Sequence, residues 1–313
     1  MSALLFPGQG SQIVGMGSEL YNKFDLVKKI FNRADEKLNY SISKMILEGP
    51  EDQLQLTKNT QPAILTVSYS IFRVLKDEFN FDFNTFKYFA GHSLGEYSAL
   101  VCSEALDFND ALYLLHERGK AMQEAVPIGK GSMIAVLGIK SSEINNLIQT
   151  RNDKTGVCEI ANDNADGQVI VSGNIESINS FQSTLKDKKI KSIPLKVSAP
   201  FHCSLMQPAA DIMSDKINNT KFNNPLYEIF NNVTAKPEKK FENLKKLLIK
   251  QICSTVKWRE SIINMSKLGV INYIEIGPGK ALTGMVKRTV KNANCFSINS
   301  IADIKNLINE FKK

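Results

Sequence analysis

The pentapeptide Gly91-His92-Ser93-Leu94-Gly95 restricts the fold of this chain more than any other segment. A short apolar run, Tyr88-Phe89-Ala90, precedes it, and Glu96-Tyr97-Ser98-Ala99-Leu100-Val101 reads as a helix after it. Strand, sharp turn, helix is the setting in which G-x-S-x-G forms a nucleophile elbow. The glycines let the backbone turn without a Cβ clash. The turn pushes the serine hydroxyl out at the carboxyl end of a strand, and the N–H of Leu94 falls at a helix N-terminus, where it can stabilise an oxyanion. A glycine-flanked loop is the bland alternative, and the strand and helix on either side argue against it.

At 313 residues the chain is long enough for one large domain and a smaller one. Its 43% hydrophobic and 23% charged content is that of a soluble globular protein. No apolar run approaches the roughly 20 residues of a membrane helix. Met1-Ser2-Ala3-Leu4-Leu5-Phe6-Pro7 reads as an early strand, so neither signal nor transit peptide is expected. The five cysteines are odd in number and dispersed, without C-x-x-C, which fits a reducing cytoplasm and argues against a disulfide framework or zinc site. Cys203 adjoins His202, but neighbours in an extended segment point to opposite sides, so it reads as filler. The formal charge is +7, with lysines gathered at 186–191 and 236–250. A solvated surface accounts for them. Attraction for an acidic or phosphate-bearing partner is the sharper reading. Nucleic acid is not expected, because no binding motif accompanies the scattered charges.

Residues 3–6 suggest a buried strand ending in Pro7-Gly8-Gln9-Gly10-Ser11-Gln12. Helical spacing marks 25–47 and 61–79, with Pro62 near the first turn of the latter. A further helix is predicted from about Asn109 to Ala125. Between 129 and 197 the texture becomes strand (133–137), helix (142–150, with Ser142 as N-cap), two strands (157–161, 168–172), helix (174–186) and strand (190–197). That β-α-β-β-α-β order matches a ferredoxin-like unit. The expected fold is therefore α/β: a large α/β-hydrolase-like domain with a parallel sheet (1–128 and 198–313), carrying an inserted ferredoxin-like small domain (129–197). In the second part of the large domain strands are predicted at 227–230 and 271–276, and helices at 205–218, 240–253, 258–267 and 280–291.

A serine nucleophile needs a base, and the chain has three histidines. His92 sits beside Ser93 and should diverge from it, and pack or hydrogen-bond locally. His116 is mid-helix with nothing tying it to the elbow. His202, in Ser198-Ala199-Pro200-Phe201-His202, lies in a loop after a predicted strand, and is the candidate base. Arg118 is about 200° around the helix from His116. On the residues alone, an exposed pair with Glu117 or Glu124 explains it. An elbow also needs a second oxyanion donor from another strand-end loop, and Gln12 is the candidate. The first loop is not a dinucleotide fingerprint, since Ile13 stands where the third glycine belongs, and Gly277-Pro278-Gly279-Lys280 is not a phosphate-binding loop and reads as structural.

Phe6-Pro7-Gly8-Gln9-Gly10-Ser11-Gln12, Thr60-Gln61-Pro62-Ala63, Gly91-His92-Ser93-Leu94-Gly95-Glu96, Arg118-Gly119, Phe201-His202, Asn232-Val233-Thr234 and Glu275-Ile276-Gly277-Pro278-Gly279 stand in the order found in acyl-carrier-protein S-malonyltransferases. The chain resembles the stand-alone members of that family from about residue 3 to 300, and the motifs together are far more specific than the elbow. The resemblance implies that malonyl-CoA acylates Ser93, that His202 takes its proton, and that a backbone carbonyl at Gln251 orients the histidine. It implies an oxyanion hole from the N–H groups of Gln12 and Leu94, a malonyl carboxylate on Arg118 with Gln61 nearby, and coenzyme A contacts from Asn162 or Asn164. The reaction implied is ping-pong transfer to the phosphopantetheine thiol of acyl carrier protein in fatty acid synthesis. Malonyl-CoA and the carrier protein are then substrates. No cofactor, metal or membrane partner is expected, and the chain is expected to be a monomer. A serine esterase or thioesterase shares the elbow. Arg118-Gly119 downstream, and the lack of an acid in Asp-to-His order near His202, count against it. An inactive carrier-binding scaffold would not need Ser93, His202 and Arg118 together.

Overall fold

The computed structural model describes residues 1–151, 156–197 and 199–311. Ser198, in the loop before His202, lies outside them. In chain order the elements are β1 (Ser2–Phe6), α1 (Ser18–Lys23), α2 (Asp25–Leu38), α3 (Ile42–Glu48), α4 (Glu51–Leu54), α5 (Thr57–Arg73), β2 (Phe86–Gly91), α6 (Gly95–Cys102) and α7 (Phe108–Glu124). Then come β3 (Gly131–Leu137), α8 (Ser141–Gln149), β4 (Cys158–Ala165), β5 (Gln168–Asn174), α9 (Ile175–Asp187) and β6 (Lys191–Pro194). The chain closes with α10 (Gln207–Asn219), β7 (Glu228–Phe230), β8 (Pro237–Glu238), α11 (Phe241–Gln251), α12 (Trp258–Lys267), β9 (Asn272–Ile276), α13 (Ala281–Thr289), β10 (Asn294–Ile298) and α14 (Ile301–Phe311). No helix among the described residues is long and apolar enough to cross a membrane.

Six strands form the main sheet in the order β10-β9-β1-β2-β7-β8, parallel except for the β7–β8 pair. All five residues of β1 are buried, as a strand covered on both faces requires. Parallel order brings the carboxyl ends of β1, β2 and β9 to one edge, where ligand crevices of open α/β sheets form. Three turns meet there: Pro7–Ser11, His92–Leu94 and Gly277–Pro278. Their packing leaves no room for side chains. A Cβ on Gly8 would fall 2.6 Å from the His92 carbonyl oxygen, and one on Gly277 2.5 Å from the Pro7 ring.

Segment 131–194 forms a second, antiparallel sheet in the order β4-β5-β3-β6. Strand alternation divides its two faces. Ile134, Val136, Val169 and Val171 pack against Ile144, Ile148, Ile178, Phe181 and Leu185 of α8 and α9. Met133, Ala135 and Ile170 face the large core instead. The expected strand and helix order is therefore present. Ser142 is not the cap of α8: the helix begins at Ser141 behind Lys140, with no side-chain cap, and Ser141 Oγ accepts a bond from Arg259 Nη2 at 3.2 Å.

The helix predicted over 25–47 is two helices. Asn39 adopts a left-handed φ of 58°, which asparagine tolerates better than most side chains, and ends α2 there. The helix carrying Pro62 begins at Thr57 rather than 61, so the proline is internal. It deprives the Lys58 carbonyl of its usual N–H donor. His116 of α7 lies against that oxygen, Nδ1 to O 3.2 Å, which gives this histidine a structural task. Next to it Gly119 meets the α5 backbone directly: a Cβ there would lie 2.5 Å from Lys58 Cα. Close α5–α7 contact is what sinks Arg118 into the interior. The strand and helix beyond Asn292 had no sequence expectation: β10 is a half-exposed edge strand of mixed polarity, a weak signal.

Two glycine-to-alanine substitutions should act in opposite directions. Gly119→Ala forces backbone apart and should lower unfolding free energy by about 1–3 kcal/mol. Gly284→Ala, where a Cβ meets open space in a helix, should raise it by about 0.4–1 kcal/mol. Urea unfolding of both variants checks this, and equal effects would contradict the packing described.

Candidate active site

Strand β2 delivers the chain into the elbow and α6 receives it. Ser93 itself holds the left-handed conformation, φ 53°, a strained position for a residue with a Cβ. Its surroundings over-determine it. Ser93 N–H donates to Asn232 Oδ1 at 2.8 Å, and Ser93 C=O accepts from Gln251 Nε2 at 3.1 Å. Asn232 Nδ2 also donates to Gly91 O at 2.8 Å, closing the turn from behind. Gly91 and Gly95 are needed for close approach: a Cβ on Gly95 would lie 2.2 Å from Phe6 O.

His202 is buried and projects from a loop held by Pro200, whose ring packs on Gly131 at the start of β3. Its Nε2 lies 2.7 Å from Ser93 Oγ, and its Nδ1 lies 2.9 Å from Gln251 O. A carbonyl only accepts, so Nδ1 carries the proton and Nε2 is free to take one from the serine. Gln251 is the last residue of α11, and its carbonyl is among those a helix leaves unpaired at its negative end. No carboxylate is needed to orient the base. Burial, reinforced by the Arg118 cation, lowers the His202 pKa to about 3. The ring is neutral throughout the physiological range. Cys203 next to it points away: its Sγ donates to Pro200 O at 3.1 Å, and burial pushes the thiol up to about 11.

Arg118 is 1% exposed. Nη1 donates to Gln61 Oε1 at 2.7 Å, and Nη2 donates to Gln251 Oε1 at 2.9 Å and Ser93 Oγ at 3.1 Å. The pair with a helix neighbour is not formed, because Glu117 binds Lys216 at 2.8 Å instead. Among the described residues no carboxylate forms an ion pair with Arg118. Burial lowers its pKa, and a buried cation bonded only to neutral groups is an incomplete arrangement that an anionic ligand group would complete.

A cavity of about 270 Å³ opens onto these groups. Ser93, His202, Arg118, Gln61, Leu94, Asn162 and Asn164 all border it, so most of the expected site residues converge. Leu94 N–H donates to no described residue. Gln12 is the exception. The loop residues bordering the cavity are Pro7 to Ser11, while Gln12 turns back, its Oε1 accepting from Gly10 N at 2.7 Å. Gln9 is among the loop residues that border the cavity where Gln12 does not. His92 turns away from Ser93 and packs edge-on against Trp258, as expected, but its hydrogen bond is not local: Nε2 is paired with Asn164 Oδ1 at 2.8 Å, 72 positions away. Asn164 is thereby committed to the elbow, and Asn162 is the less engaged of the two.

Three residues were not singled out from sequence as site residues. Gln9 is one. Asn232 and Glu96 are the others, although both fall in the motifs that carried the resemblance. Glu96 Oε2 accepts from Gln251 Nε2 at 2.8 Å and Asn232 N at 3.0 Å, while Oε1 is buried without a partner. Burial raises its pKa to about 7, against the lowering effect of those two donors and Arg118.

This geometry belongs to a serine acyltransferase. Residues 3–310 match the acyl transferase domain family, and the chain belongs to it. Within it the chain groups with the malonyl CoA-acyl carrier protein transacylases. It is 39% identical over 310 residues to the Haemophilus influenzae protein of that name, covering 99% of this chain and 98% of the relative. It is 38% identical over 313 residues to the one from Bacillus subtilis, covering 99% and 97%. The crystal structure of acyl-carrier-protein S-malonyltransferase from Bartonella henselae superposes with a TM-score of 0.96 at 37% identity, covering 100% and 99%. A malonyl-transacylase solved with its type II polyketide synthase acyl-carrier protein gives 0.94 at 36%, covering 99% of each chain. The esterase alternative is not favoured.

Burial raises Glu96 to about 7, so its titration is expected to show in the Ser93 acylation rate. The rate should fall as pH falls through about 7 in the wild type and lose that inflection in Glu96→Gln. Stopped-flow acylation across pH 5–9 checks this, and an inflection that persists in Glu96→Gln would assign it to another group.

Proposed function

We propose that this chain transfers the malonyl group of malonyl-CoA to the phosphopantetheine thiol of an acyl carrier protein, through an ester on Ser93, in the service of fatty acid synthesis. The observation that carries the site assignment is the meeting of Ser93 Oγ with both His202 Nε2, at 2.7 Å, and the buried Arg118 Nη2, at 3.1 Å. Nucleophile, base and carboxylate receptor share one point.

The steps follow from those contacts. Malonyl-CoA enters with its free carboxylate at Arg118, which exchanges neutral partners for a charged one. His202 Nε2 takes the Ser93 proton while Oγ bonds to the thioester carbon. The carbonyl oxygen becomes an oxyanion held by the N–H of Leu94 and, in the role first expected of Gln12, the N–H of Gln9. The intermediate collapses, the C–S bond breaks, and the proton on Nε2 passes to the departing thiolate of coenzyme A. The carrier thiol then repeats the sequence in reverse, giving its proton to Nε2 and freeing Ser93.

Arg118 acts on the base as well as the substrate. Its positive charge holds His202 down. A malonyl carboxylate neutralises that charge, so the imidazole grows more basic when the correct substrate is seated. An acetyl group supplies no such compensation. Charged hydrogen bonds contribute about 1.5–3 kcal/mol, which corresponds to about 10- to 100-fold in kcat/KM for malonyl over acetyl. The segment 129–197, treated as a unit, supplies part of the cavity wall through Met133, Asn162 and Ile170.

Intact-mass measurement after mixing with malonyl-CoA should show one malonyl adduct in the wild type and none in Ser93→Ala. Absence of a wild-type adduct would overturn the reading. Arg118→Ala should lose about 10- to 100-fold in kcat/KM with malonyl-CoA, with no matching loss on acetyl-CoA. Equal losses on both would remove Arg118 from carboxylate recognition.

A further inference from the structure

The lysine runs at 186–191 and 236–250 are the obvious places for an acidic partner, yet neither borders the catalytic cavity. Lys186, Lys189 and Lys191 line a separate hollow on the outside of α9 and β6. Lys250 borders another, which reaches His202 but not Ser93. A carrier protein must pass a tethered thiol to Ser93, so its docking surface has to adjoin the cavity mouth.

Helix α13 does adjoin it. Ala281, Leu282 and Met285 form part of the cavity wall. Glu275, buried at the end of β9, fixes the helix start by accepting from Leu282 N at 3.1 Å and Thr283 N at 2.9 Å. None of the cations of this helix lines the cavity itself: Lys280, Lys287 and Arg288 are exposed on its outer side, with Lys291 just beyond its end, and Arg288 reaches the cavity rim through Gln168. No acidic residue occurs from 280 to 291. Arg288 Nη2 donates to Gln168 Oε1 at 2.6 Å, and Gln168 itself borders the cavity. Asp166, the acid nearest to Gln168 in sequence, pairs with Arg259 at 3.6 Å and leaves this face uncompensated. Among the described residues, Lys280, Lys287 and Lys291 enter no ion pair. Helix stability alone explains only part of the pattern. Cations at 287 and 288 suit the negative end of the helix, whereas Lys280 stands at the positive end, where a cation is disfavoured.

We propose that the outer face of α13, formed by Lys280, Lys287, Arg288 and Lys291, is where the acidic surface of the carrier protein docks, with its phosphopantetheine arm entering the cavity past Gln168 and Met285. The inference rests on the transacylase reading. It adds to that reading which surface receives the second substrate. Opposite charge on this rim speeds encounter and fixes the orientation in which the arm faces the opening.

The test separates the two half-reactions. Loading of Ser93 from malonyl-CoA is measured first, so failure of the functional reading shows as absent wild-type loading. Transfer to holo-carrier protein is then compared in the wild type, in Lys280→Glu/Lys287→Glu/Lys291→Glu, and in Lys186→Glu/Lys189→Glu/Lys191→Glu, with thermal melting to confirm folding. The α13 triple should raise the carrier KM about tenfold or more at low salt, with the gap closing at high salt. Its loading by malonyl-CoA should stay within about twofold of wild type, and the 186–191 triple should behave as wild type. An unchanged carrier KM, or a larger loss in the 186–191 triple, overturns the assignment. So does an equal loss on malonyl-CoA, which would mean that this face reads the phosphates of coenzyme A.

Discussion

Everything at the reactive centre passes through Gln251. Its main-chain carbonyl holds His202 in the tautomer that leaves Nε2 basic, 2.7 Å from the nucleophile. Its carboxamide oxygen accepts from Arg118, and its carboxamide nitrogen donates to Ser93 O, Glu96 and Asn232. One residue at the end of a helix therefore sets the base, the cation and the strained elbow in register. The amide cannot be reversed without facing its N–H donors toward a guanidinium that has only donors. Glu96 fixes that orientation from the other side.

The arrangement is held under electrostatic tension. Arg118 and Glu96 are both buried, joined through Gln251 rather than by a direct ion pair. The tension has consequences for stability with opposite signs. His202 is depressed from 6.5 to about 3, so as pH falls below about 6.5 the unfolded chain gains a proton that the folded one refuses, and stability drops. Glu96 is raised from 4.5 to about 7, so between those values the unfolded chain loses a proton that the folded one keeps, and stability drops as pH rises. A site optimised only for stability would contain neither group. In the reaction we propose, a substrate carboxylate at Arg118 relieves the uncompensated cation and strengthens the His202 base in the same step.

The sequence made the architecture legible where a local signal was strong. The elbow, the buried run of β1 and the β-α-β-β-α-β order of the small sheet each rest on periodicity or turn chemistry that needs no distant partner. The pairing of Ser93 with His202 came from elimination among three histidines, whereas the place of Arg118 beside them came through the family resemblance rather than from spacing. What stayed hidden depended on tertiary contact. Nothing local says that Glu96, in the first turn of a helix where acids usually face water, is buried behind its own elbow. The choice between Gln9 and Gln12 turns on how one tight loop folds back on Gly10. His116 looked idle because its partner is a carbonyl freed by a proline on another helix. The cations of α13 are too widely spaced to stand out as a run and gather only when the helix forms.

The claim that burial and the Arg118 cation keep His202 neutral while the Gln251 carbonyl orients it is open to direct observation. Nitrogen-15 NMR of the imidazole groups suits a chain with three histidines, with His202→Ala supplying the assignment. The account predicts a neutral ring protonated at Nδ1 and free at Nε2 at pH 5, well below the ordinary histidine midpoint. A His202 ring that is doubly protonated at that pH, or that carries its single proton on Nε2, would contradict it.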